Sequence, residues 1–168
     1  MVIREAVSAD LSSIIGIYNA TIAEGSPTSD TEPVTLKSQI PWCDAHSTRR
    51  YPIWIVEQNL DVVAWASLEP FRGRHQAFRP SAEINLCVAP HVQRQGLGRT
   101  LCWRLIEHCP SLGIKTLIAV YFDHNDSARK LFSRLGFSEV AHLTGVAELK
   151  GLSRGLYISR YHLPVEED

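Results

Sequence analysis

The sequence has no marked excess of charge of either sign. Its 168 residues include 17 Lys and Arg against 18 Asp and Glu, a formal net charge of −1. Because a domain that binds nucleic acid normally carries a basic surface, this balance argues against a nucleic-acid partner. The hydrophobic content of 45% is also too high for a disordered chain, since it can supply a buried core.

Long hydrophobic runs are missing as well. No segment approaches the roughly 20 apolar residues that a membrane helix needs. The first ten residues, MVIREAVSAD, carry charges where a secretory signal peptide has an apolar stretch. We therefore expect one domain over residues 1–168, located in the cytoplasm and without a membrane partner.

Cysteine and lysine are both scarce. The four cysteines form no CxxC pair and show no metal-ligand spacing with the seven histidines, so we expect no metal site and buried, reduced thiols. The chain has 13 Arg but only 4 Lys. The guanidinium fork suits a carboxylate or phosphate ligand, although a solvated surface explains the same excess.

The chain shows no internal repeat and no linker long enough to separate two domains. Hydrophobic periodicity and turn residues predict strands at 2–6, 53–57, 62–68, 82–88, 114–122, 137–143 and 156–163, with helices starting at Ser8, over 35–40 up to Pro41, over 98–109, and from the Asn125 cap to Leu135. Residues 25–33 and 70–80 are predicted to be loops. This order indicates a mixed α/β sheet in which two antiparallel hairpins flank a right-handed βαβ crossover.

The most informative segment is the glycine-bearing loop from Gln93 to Arg99. A strand ends before the loop and a helix begins at once after it. Backbone N–H groups and the positive end of the helix dipole can bind an anion at such a turn, and Gly96 and Gly98 allow a close approach. The loop lacks the Lys-Ser/Thr of a Walker A motif and the GxGxxG spacing. On these grounds alone, a diphosphate site and an ordinary glycine-rich turn remain equal alternatives.

The same loop, Gln93-Arg94-Gln95-Gly96-Leu97-Gly98, resembles the Q/R-x-x-G-x-G/A signature of the GNAT acetyltransferases, which holds the pyrophosphate of acetyl-CoA. Asn125 and Leu135-Gly136-Phe137 follow at a distance that fits the family. Further segments resemble its phosphinothricin acetyltransferase branch: Ile17-Tyr18-Asn19, Thr31-Glu32-Pro33, Tyr51-Pro52, Phe71-Arg72 and Ala82-Glu83. The resemblance covers nearly the whole chain.

The resemblance implies an α/β fold with a mixed, mostly antiparallel central sheet, splayed fourth and fifth strands and helices on both faces. The cofactor-binding residues it implies are Leu86, Cys87 and Val88 along the pantetheine arm, Arg94, Gln95, Gly96, Leu97, Gly98 and Arg99 at the pyrophosphate, and Asn125 with Ser127 near the far arm. A backbone N–H of the fourth strand would stabilise the oxyanion. Because an amine attacks the thioester directly, the cysteines need no catalytic role.

Glu83 is the candidate catalytic base. It is an acidic residue within an otherwise apolar strand, where an unpaired carboxylate is costly and often functional. It also matches the Glu of the phosphinothricin branch. Its strand neighbours Ile84 and Leu86 are expected to face the core. The alternative is a surface carboxylate paired with an arginine.

The loop before Glu83 contains candidate substrate-binding residues. These are Arg72, Arg74, Phe78 and Arg79, and three arginines within eight residues suit an acceptor that bears a carboxylate. A solvated loop remains the alternative.

Two positions depart from the family. Phe132 occupies the place where GNAT enzymes often carry a Tyr acid and the phosphinothricin branch a His. Phe cannot donate a proton, so water, Ser127 or Tyr121 would have to protonate the thiolate. The branch also ends with a Trp-Asp pattern, whereas this chain reads Gly155-Leu156-Tyr157-Ile158-Ser159. The acceptor therefore stays open.

These observations predict an acetyl-CoA-dependent N-acetyltransferase that acts on a small-molecule amine, such as an amino acid or an analogue like phosphinothricin. A protein or polyamine acceptor would keep the fold and change the partner. A non-catalytic acyl-CoA-binding module is the alternative from another class, and Phe132 is its best support. The aromatic-rich strands and the C-terminal strand are compatible with a homodimer.

Overall fold

The computed structural model describes residues 1–24, 28–46, 50–73 and 75–164. In these ranges the α-helices are α1 (Leu11–Ala23), α2 (Leu36–His46), α3 (Leu97–His108) and α4 (Asp126–Arg134). The strands are β1 (Val2–Glu5), β2 (Ile53–Gln58), β3 (Asp61–Pro70), β4 (Ser81–Val88), β5 (Thr116–Phe122), β6 (Ser138–Leu149) and β7 (Leu152–His162). None of the helices in the described part of the chain has both the length and the apolar character that a bilayer crossing requires.

The strands form one mixed sheet in the order β1-β2-β3-β4-β5-β7-β6. The pairs β1–β2, β2–β3, β5–β7 and β6–β7 are antiparallel, and β4–β5 is parallel. Helix α3 supplies the crossover between the two parallel strands. The predicted fold class, a mixed and mostly antiparallel sheet with a central βαβ unit, is confirmed.

The parallel pairing of β4 and β5 is short. It consists of Ser81↔Thr116, Ala82↔Leu117 and Glu83↔Ile118. Both strands continue beyond these pairs, β4 to Val88 and β5 to Phe122. In an ideal parallel ladder the pairing would extend along both strands, so the short ladder agrees with the predicted splaying.

By compactness the chain divides into two units, and the first comprises residues 1–68 and 85–105. Its core includes the fully buried Ile55 and Leu68 and the apolar face of α1. An ion network joins β1, β2 and the start of α1, because Arg4 binds both Asp10 (2.7 Å) and Glu57 (3.0 Å).

The second unit comprises residues 69–84 and 106–168. Its core lies along β5, where Leu117 and Ala119 are fully buried. Phe132 of α4 stacks on Tyr121 of β5 (5.6 Å between ring centroids) and packs edge-on against Phe137. These ring contacts hold α4 on β5. The assignment of residues 1–168 to a single domain stays a prediction.

Helix α2 continues through the proline that was predicted to end it. Thr35 and Ser38 exchange side-chain and backbone hydrogen bonds at its start. Beyond Pro41, Trp42 packs against Trp65 of β3 (5.6 Å) and against His46 (4.6 Å). Tertiary packing thus outweighs the backbone hydrogen bond that Pro41 cannot donate.

The first helix begins differently from its prediction. Ser8 was expected to cap it, but residues 8–10 form a 3₁₀ turn without a side-chain cap at its start. The Asp10 carboxylate instead accepts the N–H of Val7 at 2.8 Å. Asp10 is the better acceptor because it carries a charge that Arg4 also stabilises.

The last hairpin is longer than the predicted strands 137–143 and 156–163. β6 and β7 continue to a tight turn at Lys150 and Gly151, both at positive φ. Three residues of β6, 144–146, lie opposite the single residue Gly155, because Leu143 pairs with Leu156 and Ala147 with Arg154. This irregularity interrupts the alternation of apolar residues and hides the strands from a period-two search.

Candidate active site

The loop before α3 has the backbone form of an anion-binding turn. Arg94 (φ 63°) and Gly96 (φ 81°) both adopt left-handed conformations. Helix α3 begins at Leu97, and the Gly96 carbonyl accepts the first helical N–H, that of Thr100 (3.0 Å). The Gln93 side-chain amide donates a hydrogen bond to the Val88 carbonyl (3.3 Å), which connects the loop to the end of β4.

The N–H groups of residues 94–96 have no backbone acceptor among the described residues. The N–H groups of the first turn of a helix have no intrahelical acceptor and bind anions together with the helix dipole. Gln93 to Gly96 and Arg99 are exposed, whereas Leu97 is buried on one stripe with Leu101, Leu105 and Cys109. Apart from its two chain neighbours, no described residue has an atom within 4 Å of the position that a Cβ at Gly96 would take. The space beside the turn is therefore open to a ligand.

The second half of β4 departs from simple alternation. Ala82 and Ile84 are buried as expected, but the next buried residue is Cys87, while Leu86 is only half-buried. The prediction that Leu86 faces the core is therefore wrong, because the alternation shifts by one residue after Ile84. Ala89 donates its N–H to Val63 of β3 (2.9 Å).

All four cysteines are free thiols, and three of them are buried as predicted, whereas Cys43 is only half-buried. Cys87, Cys102 and Cys109 are buried, and Cys87 contacts the Thr21 hydroxyl (3.7 Å). Burial raises the pKa of Cys87 to about 11 and that of Cys102 to about 12. Because the thiolate is the nucleophile, these protonated thiols are poorly reactive at neutral pH.

Glu83 is a half-buried carboxylate without an ion-pair or hydrogen-bond partner among the described residues. The structure gives no support to the alternative of a carboxylate paired with an arginine. Burial, and then the charge of Glu69, raise the pKa of the Glu83 carboxyl above its usual range. A raised pKa brings a carboxylate closer to the basicity that proton abstraction needs.

Glu69, near the end of β3, was missed by the sequence analysis. It follows the apolar run VVAWASL directly, and an acidic residue beside an apolar strand is the signal that singled out Glu83. Its charge acts on Glu83 as a like charge. The two carboxylates form the acidic part of the candidate site.

Replacing Glu69 with Gln tests this electrostatic interaction. Because the like charge raises the pKa of Glu83, its removal should lower that pKa and move the acid limb of the kcat/KM–pH profile to lower pH. Burial is the larger cause and remains, so the pKa should stay above that of a free Glu. An unshifted acid limb would contradict the interaction, and Glu148→Gln on exposed β6 is the matched control.

The loop between β3 and β4 is ordered by aromatic contacts. Phe71 and Phe78 pack edge to face (5.9 Å), and the Arg72 guanidinium lies 5.7 Å from the Phe78 ring centroid. Arg72 has a positive φ of 54°, and Phe78 is 37% exposed. Arg79 follows a short 3₁₀ turn, and Arg74 lies outside the described residues. The structure thus brings together Arg72 and Phe78 of the predicted group.

Asn125 and Ser127 lie at the start of α4. The Asn125 side chain caps the helix by accepting the N–H of Ala128 (3.1 Å), as its position predicted. This bond uses the carbonyl oxygen and leaves the amide N–H₂ available as a donor. Ser127 is exposed in the first turn of the helix.

Tyr121 does not fit the role of proton donor considered for it. Its hydroxyl bonds to the buried Ser159 hydroxyl (2.8 Å), and burial raises its pKa. Phe132 lies flat against its ring. Tyr121 is therefore a packed residue of the second unit, which leaves water and Ser127 as the predicted sources of the proton.

A further carboxylate and imidazole pair lies near the end of β5. Asp123 accepts a hydrogen bond from His142 of β6 (3.0 Å), which lowers the Asp123 pKa. Gly155 makes this arrangement possible, because a Cβ there would overlap the Asp123 carboxylate and the Leu143 carbonyl. In the described ranges, no group of three or more His, Cys, Asp or Glu side chains could hold a metal ion.

Comparison with known proteins places the sequence motif in a family. The family model "Acetyltransferase (GNAT) family" matches residues 15–137, which include β4, the loop and all of α4. The chain belongs to the GNAT acetyltransferase family. It is therefore an acyltransferase, and the predicted membership of the GNAT family is confirmed.

Individual relatives resemble the chain over most of its length. A candidate phosphinothricin acetyltransferase of Bacillus subtilis (strain 168), YwnH, is 38% identical over 152 residues, which cover 90% of this chain and 92% of that protein. The L-methionine sulfoximine/L-methionine sulfone acetyltransferase of Salmonella typhimurium (strain LT2) is 30% identical over 146 residues, which cover 87% of this chain and 85% of that protein. The predicted resemblance to the phosphinothricin acetyltransferase branch is confirmed.

A solved structure shares the fold. The structure of yncA, a candidate acetyltransferase from Salmonella typhimurium solved with its cofactor acetyl-CoA, superimposes with a TM-score of 0.91 at 28% identity, and the match covers 100% of this chain and 96% of that chain. This likeness supports the strand order and the position of the glycine loop between β4 and α3.

Proposed function

We propose that this GNAT protein transfers the acetyl group of acetyl-CoA to the amine of an amino acid or an amino-acid analogue. The observation that carries the proposal is Glu83, a half-buried carboxylate without a partner among the described residues and with a raised pKa. An unpaired buried carboxylate lowers stability, and a catalytic base explains why this chain has one. The named activities of the relatives support the same substrate class.

The pyrophosphate of acetyl-CoA would bind at Arg94 to Arg99. The positive φ values, the exposed turn and the absence of atoms near the Gly96 Cβ position fit such an anion. Leu86, Cys87 and Val88 would offer their backbone to the pantetheine arm, as an added strand pairs with an open edge. The free amide N–H₂ of Asn125, with the exposed Ser127, would contact the far arm.

The acceptor's carboxylate would bind at the loop before β4. Arg72 is held over Phe78 by a cation–π contact and has no ion-pair partner in the part of the chain that the structure describes. A guanidinium can accept a carboxylate in a bidentate manner. Arg74 and Arg79 are the other predicted members of this group. This arrangement favours an amino-acid acceptor over a polyamine, which has no carboxylate.

Glu83 supplies the proton transfer that the reaction needs. Acetyl-CoA, when bound, contributes the thioester. Glu83 takes a proton from the acceptor's ammonium group, directly or through one water, and the freed nitrogen forms a bond to the acetyl carbon. The nitrogen passes its second proton to water as the carbon–sulfur bond breaks, a backbone N–H of β4 stabilises the charge on the carbonyl oxygen, and the CoA thiolate receives a proton from water.

Because Phe132 cannot donate a proton, we expect protonation of the CoA thiolate to need no acidic side chain at position 132. Phe132 is buried between the rings of Tyr121 and Phe137. Because the leaving thiolate is weakly basic, Phe132→Tyr should change kcat by less than about tenfold, below the usual range for general acid catalysis. A hundredfold gain in steady-state turnover would contradict this and favour the non-catalytic binding module.

A panel of acceptors tests the proposed function. The release of CoA thiol from acetyl-CoA is measured with L-methionine sulfoximine, L-phosphinothricin, the matching amines without the carboxylate, spermidine and an N-terminal peptide. We expect the highest kcat/KM for the two amino-acid analogues. Preference for spermidine or the peptide would overturn the substrate class, and acetyl-CoA binding without any transfer would overturn the enzyme assignment.

A further inference from the structure

A surface pocket of about 470 Å³ lies beside α4, within the second unit. Its lining comes from β5, α4, β6 and β7 and contains none of the residues assigned to acetyl transfer. Pockets that bind small molecules have volumes of about 300–1,000 Å³. The pocket is therefore large enough for a ligand of its own.

The floor of the pocket carries two buried hydroxyl groups. Tyr121 Oη and Ser159 Oγ lie 2.8 Å apart, and their residues are only 7% and 1% exposed. A hydrogen bond between them uses one of their two O–H donors. Among the described residues the only other acceptor near these hydroxyls is the Glu139 carboxylate, 3.5 Å from Tyr121 Oη, a long contact, and Arg129 already binds that oxygen at 2.6 Å. A ligand oxygen at the floor would give the second donor a better partner.

The rim of the pocket is cationic. Arg129 and Glu139 form a bidentate ion pair, and the Arg129 guanidinium is also held over the Tyr157 ring (4.5 Å), so this pair contributes no net charge. Lys130 and Arg134 have no ion-pair partner among the described residues. They lie four residues apart on α4, where like charges repel. A bound anion would relieve that repulsion.

We infer that this pocket binds a small organic anion, with its acid group at Lys130 and Arg134 and a hydroxyl or carbonyl group at Tyr121 and Ser159. Phe137 supplies an apolar wall for the body of the ligand. A bare inorganic anion would use the rim alone and gain nothing from the floor or the wall. This site is independent of the proposed acetyl transfer.

The test uses 4-hydroxybenzoate as the probe, with the full chain saturated with acetyl-CoA so that the α3 loop is occupied. Isothermal titration calorimetry should give a Kd of about 1 mM or lower, and inorganic phosphate should bind at least about tenfold more weakly. The double variant Lys130→Gln/Arg134→Gln should weaken 4-hydroxybenzoate binding at least tenfold. Lys37→Gln/Arg104→Gln removes the same charge from exposed positions on α2 and α3 and should leave the Kd unchanged.

Two further variants separate this pocket from other sites. Ser159→Ala should weaken 4-hydroxybenzoate binding without weakening phosphate binding, because it removes only the floor hydroxyl. Arg72→Gln should have no effect, because Arg72 belongs to the proposed acceptor site. Absence of binding at 10 mM probe (a concentration about tenfold above the expected Kd), an unchanged Kd in Lys130→Gln/Arg134→Gln, or a loss of binding in Arg72→Gln would each overturn the inference.

Discussion

Glu83→Gln is expected to lower kcat/KM for the best acceptor by at least about a hundredfold near neutral pH. The amide keeps the shape of the side chain but cannot take a proton from the ammonium group. Acetyl-CoA affinity should stay the same, because the proposed pyrophosphate contacts come from backbone N–H groups of another segment. Steady-state kinetics and calorimetry measure the two effects separately.

Glu148→Gln, on exposed β6, is the matched control and should retain full activity. If Glu83→Gln turns over normally, Glu83 is structural and the base lies elsewhere. If its acetyl-CoA affinity falls in parallel with its activity, the variant has disturbed the strand rather than removed a base.

The same substitution should also raise the stability of the protein. The pKa of Glu83 is higher in the folded chain than the usual value of an unfolded Glu. The folded state therefore holds this proton more tightly, and stability decreases as the pH rises from the unfolded pKa through the folded pKa. Glu83→Gln should unfold at a higher temperature than the wild type at pH 7, and the difference should vanish below about pH 4. A lower melting temperature at pH 7 would contradict the unpaired carboxylate.

Gly96→Val is expected to weaken acetyl-CoA binding by more than tenfold, a difference of about 1.4 kcal/mol. The side chain would occupy space that is free of atoms of the described residues, chain neighbours aside, and that is assigned to the pyrophosphate. Gly96 also has a φ of +81°, so valine adds backbone strain of about 1–2 kcal/mol at that residue. Part of the effect would therefore arise from a change in the shape of the turn.

Gly151→Val separates strain from ligand contact. Gly151 has a φ of +75°, and its Cβ position is equally free of neighbouring atoms. It lies in the turn between β6 and β7, outside the proposed cofactor site. Gly151→Val should lose similar stability and keep its acetyl-CoA affinity. An unchanged Kd in folded Gly96→Val would overturn the assignment of the loop.

The elements with strong local signals were predictable from the sequence. Asn125 caps α4, the buried stripe from Leu97 to Cys109 forms one face of α3, and Asn59-Leu60 turns the hairpin of β2 and β3 at positive φ. In each case the local preference and the tertiary environment agree. For the loop before α3, local sequence patterns alone left a diphosphate site and an ordinary glycine-rich turn as equal alternatives. The resemblance to the GNAT signature favoured the diphosphate site.

The mispredicted elements depend on contacts between residues distant in sequence. Pro41 does not end α2, because Trp42 packs on Trp65 of another element. The full length of β6 was not predicted, because residues 144–146 pair irregularly with β7. They lie opposite the buried Gly155, which is distant in the sequence. The charge of Glu69 likewise raises the pKa of Glu83 only in the folded sheet, where β3 and β4 bring the two carboxylates near each other.

Identification of the product is the most direct test of acetyl transfer to the amine of an amino-acid analogue. The chain is incubated with acetyl-CoA and L-methionine sulfoximine, and the acceptor is examined by mass spectrometry and NMR. We expect one acetyl group on the α-amine nitrogen for each CoA thiol released, and at least about a hundredfold less product with Glu83→Gln over the same time. Recovery of unmodified acceptor from a folded protein that binds acetyl-CoA would contradict the proposed transfer.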